Sequence, residues 1–99
     1  MEKNEAIAWM KENERLAAEH DAIYTDERGR LVRRLRLLAD ELENIDKLHF
    51  SNEAHNRFLQ DNLKYLTKKI NLMRDANNMA QAFIGEANRT AQLYDIVRD

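Results

Sequence analysis

Residues 31–45 read LVRRLRLLADELENI, in which Leu31, Leu35, Leu38, Leu42 and Ile45 recur at alternating steps of four and three. That spacing holds an apolar stripe on one side of an α-helix and is the pattern of a coiled-coil seam. The alternation resumes through Leu59, Leu63, Leu66, Ile70, Met73, Asn77, Ala80, Ile84, Ala87, Ala91 and Tyr94 without a break in phase. Between the two runs stand Ser51, Asn52 and Glu53, a helix N-cap signature after a very short link near Phe50. An antiparallel hairpin of helices over about 26–49 and 52–97 is predicted. Its leucine layers pair Leu31 with Ile70, Leu35 with Leu66, Leu38 with Leu63 and Leu42 with Leu59, and put Ile45 opposite Asn56 near the turn.

Working toward the N-terminus, Trp9, Leu16 and Ile23 are spaced by seven, but Asn13, Glu14 and His20 interrupt the stripe. Thr25, Asp26 and Glu27 then read as a cap followed by acids in a first turn, where they complement the helix dipole. A separate N-terminal helix over about 2–24 is expected, giving a three-helix, coiled-coil-like fold in one domain spanning residues 1–99. Composition agrees on class: twelve alanines, twelve leucines, two glycines, no proline and only eleven Ile, Val and Thr residues in 99 favour helix over sheet.

The long last helix carries a second apolar row, Phe58, Tyr65, Leu72 and Met79, about 110° around from the first at 100° per residue. One neighbouring helix cannot bury both rows, so an oligomer is expected. Its interface is read as Asn77, Ala80, Phe83, Ile84, Ala87, Ala91 and Tyr94. Asn77 stands at a core-type position where a polar side chain can fix register and subunit number. A break at Asp75 to Asn78, giving a four-helix bundle, is the rival reading.

The net charge of −2 argues against wholesale coating of nucleic acid or membrane. No apolar stretch approaches the roughly 20 residues needed to span a bilayer, and the acidic N-terminus does not resemble a signal peptide. Without cysteine there is no disulfide or thiol chemistry, and a cytoplasmic setting is expected.

One charge anomaly stands out. Arg28 to Arg36 holds five arginines in nine residues. Asp26 and Asp40 can pair with Arg30 and Arg36 at i,i+4. Arg33 and Arg34 have no acid three or four residues away, nor do Lys68 and Lys69 on the opposite helix. The leucine register sets those four cations level, where an anionic ligand, an acidic protein surface or carboxylates of the N-terminal helix would neutralise them. Arg30, Arg36 and Lys64 are candidate helpers, with Tyr65 a stacking surface beside them.

Catalytic chemistry has little to stand on. His20, His49 and His55 are scattered, no metal-ligand spacing occurs, and neither a nucleophile elbow nor a phosphate-binding glycine loop is present. The sequence therefore reads as a noncatalytic, oligomeric adaptor or inhibitor without cofactor or metal, of a size that suits a bacterial or phage regulator. A module that sequesters nucleotides or oligonucleotides between protomers and a structural assembly subunit are the alternatives. Sequence-specific DNA recognition is disfavoured, because Asp40, Glu41 and Glu43 follow the arginines and would meet phosphates.

Overall fold

The computed structural model describes residues 1–46 and 51–98, and these form two long antiparallel helices. Helix α1 runs from Lys3–Glu43 and α2 from Asn52–Leu93. The hairpin measures 71 × 22 × 14 Å. No strand occurs among the described residues.

The expected joint at Thr25 is absent. α1 passes through Thr25, Asp26 and Gly29 as one helix, so the described residues form two helices and not three. The Thr25 hydroxyl, which a cap would aim forward at a free backbone N–H, instead donates back to the Asp21 carbonyl at 3.0 Å. Asp26 pairs with Arg30 on the following turn at 3.2 Å. Local cap chemistry yields here to the packing of α1 along the full length of α2.

Both helices also stop earlier than predicted. α1 ends at Glu43, where Asn44 closes it: the Asn44 backbone N–H and side-chain amide both donate to the Asp40 carbonyl, at 3.2 and 2.7 Å. The predicted end at His49 and the link at Phe50 fall outside the described residues. α2 starts as expected, the Ser51 hydroxyl accepting from Ala54 N–H at 3.1 Å. It continues unbroken through Asp75 to Asn78, which removes the four-helix alternative.

The C-terminus of α2 closes with Asp95 in the left-handed region, φ 52°. Asp95 N–H donates to Gln92 O, and Ile96 N–H donates to Ala91 O. The tail then turns back between the helices, where Arg98 donates to the Met10 sulfur of α1 at 3.4 Å and to Asn88 Oδ1 of α2 at 2.7 Å. A left-handed cap favours glycine. Asp95→Gly is accordingly expected to raise the unfolding free energy by about 0.5–1 kcal/mol in a urea titration.

The seam differs most from expectation. Leu31, Leu38 and Leu66 are half-buried, but Leu35, Leu42, Leu59, Leu63 and Ile70 are exposed. Glu27 and Arg34 of α1 instead meet Lys69 and Asn62 of α2. The leucine register set Arg34 level with Lys68, so the observed pairing lies about one and a half turns nearer the connection. The early stop at Glu43 moves the turn in this direction. Buried hydrophobic positions are few and small: Ala6, Met10, Ala17, Ala76 and Ala87.

Candidate functional site

Two heptad-spaced rows build the middle of the seam. On α1 the row is Asn13, His20, Glu27 and Arg34; on α2 it is Asn62, Lys69, Ala76, Phe83 and Thr90. Asn13, Asn62, Lys69, Ala76 and Thr90 are buried, and the other four are half-buried. Buried polar groups need partners. Asn13 and Asn62 each return a side-chain N–H to the carbonyl four residues earlier, on Trp9 at 2.9 Å and Phe58 at 2.8 Å. His20 stacks on Phe83 with ring centroids 5.4 Å apart.

Two long-range contacts bring the cations together. Lys69 Nζ lies 2.7 Å from Glu27 Oε2, with side-chain exposures of 11% and 13%. Arg34 donates to Asn62 Oδ1, its Nε at 3.0 Å. The Arg34 guanidinium and the Lys69 ammonium both lie over the Tyr65 ring, 5.7 and 5.6 Å from its centroid. The Lys69 ammonium beside it, with the positive charges of Arg30 and Lys68 behind, holds the Glu27 carboxyl below its ordinary range.

The predicted basic cluster is thus divided. Lys69 is neutralised inside its own chain by Glu27, so the four cations do not share one free anion site. Arg30, Arg33, Arg34 and Tyr65 do converge, together with Leu37 and Asp61, on a cleft of about 580 Å³ beside the seam. Lys64 and Lys68 line a different groove along the outside of α2, with Leu63 and Leu72 at its edges. Arg33, Arg36 and Lys68 are exposed. Among the described residues neither they nor Arg34 have a carboxylate within 4 Å.

The expected oligomer interface on distal α2 is largely occupied by α1, because the N-terminal segment continues as α1 and covers it. Ala87 is fully buried, Phe83 carries His20, and Ala80, Ile84, Ala91 and Tyr94 are half-buried. Asn77 is exposed rather than at the seam, which runs over Ala76 and Ala80.

Sequence reasoning missed Glu27, Asn62 and Asp61. The signal was present as a seven-residue spacing of polar side chains, Asn13, His20, Glu27 and Arg34 on one helix and Asn62 and Lys69 on the other. Among the described residues no three His, Asp or Glu side chains are grouped to hold a metal ion. Neither family models, nor curated proteins, nor solved structures match this chain.

Proposed function

We propose that this chain is a noncatalytic binding protein, an adaptor or inhibitor, that engages an anionic group through the cleft formed by Arg30, Arg33, Arg34 and Tyr65. The observation that carries this reading is the difference between neighbours. Glu27 takes up Lys69, whereas Arg33 and Arg34 have no carboxylate within 4 Å among the described residues of their own chain. Asn62 holds Arg34 by its Nε edge, so a directed donor is ready before any partner arrives. Preorganised guanidinium groups suit planar carboxylate or phosphate oxygens.

Asp61 on the rim opposes a small bare anion and favours a partner that also presents a positive or hydrogen-donating group. That points to an acidic protein segment. Tyr65 beside the arginines supports a second reading, a nucleotide with its phosphates on the guanidinium groups and its base against the ring.

Fluorescence anisotropy at low salt with labelled poly-glutamate and labelled ATP as probes separates these readings. Arg33→Glu alters an exposed side chain and should leave helicity unchanged. It is expected to weaken whichever probe binds by about tenfold or more, as loss of a charge-assisted contact implies. Indifference of both probes to Arg33→Glu, or no binding of either, would overturn the site.

A further inference from the structure

The side chains of this hairpin are distributed inside out. Its seam holds an ion pair, an arginine and two buried asparagines, while a block of large aliphatic residues points to solvent. Leu35, Leu42, Leu59, Leu63 and Ile70 are 46%, 42%, 41%, 57% and 54% exposed. Heptad geometry sets all five on one side of the hairpin, in the half next to the connection. The positions interleaved with them there are Leu31, Val32, Leu38, Ala39, Asn56, Gln60, Leu66 and Thr67, all uncharged, while Arg28, one heptad before Leu35, shares this side at its distal edge with its guanidinium over the Tyr24 ring. Exposed apolar surface of this extent marks an interaction face.

The total area says how much cover is needed. A compact monomer of 11.7 kDa exposes about 5,900 Å². This chain exposes 7545 Å², an excess of roughly 1,600 Å² when set against that scaling. Stable homodimers hide on the order of 1,000–2,500 Å² per subunit. The elongated shape accounts for part of this excess, and its size is of the order that one interface with one more chain hides.

We infer that the occupant is a second copy of this chain, docked leucine face to leucine face as a four-helix layer about a two-fold axis perpendicular to the hairpin. An isologous contact asks a surface to complement itself, and an apolar face whose charge is confined to Arg28 at its distal edge does so without like-charge conflict when the two copies run in opposed directions. The direction follows from the same side of the distal half, where Glu14 and Asp21 flank Ala17, Ile84 and Ala80 in a shallow cleft. Copies laid parallel along their whole length would bring those acids onto their own symmetry mates. Copies in opposed directions overlap only through the connection halves and leave the acidic ends apart.

Sedimentation equilibrium and small-angle scattering on the wild-type chain test this directly. Two chains per particle and a maximum dimension well beyond the 71 Å of one hairpin are expected. Leu63→Lys and Ile70→Lys should dissociate the particle, whereas Leu72→Lys and Met79→Lys, on the opposite side of α2, should not. Should the lysine variants lose their helical circular dichroism, hydroxyl-radical footprinting of the wild type decides instead. Leu63 and Ile70 should then be protected and Leu72 and Met79 modified. A monomeric wild type, a dimer no longer than one hairpin, or protection confined to Leu72 and Met79 would each overturn the assignment.

Discussion

Asp26→Pro is expected to lower the stability of the folded chain by about 3 kcal/mol or more, and its melting temperature by roughly 12–24 °C. α1 is continuous from Lys3–Glu43, so residue 26 lies in a helix interior, where its N–H belongs to the i−4 ladder. Proline removes that donor, and its ring clashes with the carbonyl one turn back. The same substitution would be almost neutral if Thr25 capped a new helix, because residue 26 would then be the first helical position, where proline is favoured. Asn52→Pro supplies the comparison. Asn52 opens α2 after Ser51, whose φ of −59° and ψ of 150° already suit a following proline. It should cost less than about 1 kcal/mol. Asp26→Ala separates out the exposed Asp26–Arg30 pair, whose loss is worth only a few tenths of a kcal/mol. Thermal denaturation followed at 222 nm checks all three, and equal effects from the two prolines would contradict an uninterrupted α1.

That contrast locates what could be read from residues alone. Helical class, the cap at Ser51 and the continuity of α2 through Asp75 to Asn78 were legible, because propensity, capping chemistry and an unbroken apolar phase all agree there. At Thr25 two local signals conflicted with a distant one. Hydroxyl and acids wrote a helix start, but the Thr25 hydroxyl bonds back to Asp21 and Asp26 pairs forward with Arg30, leaving helix on both sides free to continue. Asn44 was an equally local stop signal, hidden because Ile45 prolonged the apolar pattern beyond it.

The candidate site shows a deeper limit. A leucine stripe identifies the apolar side of a helix, not which neighbour will cover it. The two rows of α2 straddle the surface on which α1 sits, and α1 leaves exposed members of both, Leu63 and Ile70 on one side and Leu72 and Met79 on the other. Assigning the leucines to the seam inside the chain placed Arg34 level with Lys68 and collected four cations. The polar rows put Arg34 on Asn62 and Glu27 on Lys69, dividing the cluster and exposing the leucines in one step. Glu27 lies 42 residues from Lys69, and only the hairpin's register makes them neighbours.

Lys69→Met is expected to lower the melting temperature by roughly 10 °C or more, because removing one partner of a largely buried pair leaves a carboxylate without its counter-charge. Glu27→Gln should do less, since the ammonium retains the Tyr65 ring. Their pH dependences should also differ. Pairing holds the folded-state pKa of Glu27 below its unfolded value of about 4.3. The stabilisation is then complete above that value and is lost as pH falls through the lower folded one. Wild type should lose stability across this acidic limb, and Glu27→Gln should lose less over the same interval. Replacing both residues by leucine removes the desolvation cost and can match the wild type in stability, yet it erases the layer that distinguishes the observed seam from the leucine seam pairing Leu31 with Ile70 and Leu35 with Leu66. In that double variant, nuclear Overhauser contacts between the Tyr65 ring and the Arg34 methylenes should weaken, and the leucines should turn inward. The dimer proposed on them would then fall apart even though no residue of its interface had been changed. Full retention of both the Tyr65 contacts and the dimer in the double variant would show that the ion pair has no part in selecting the seam.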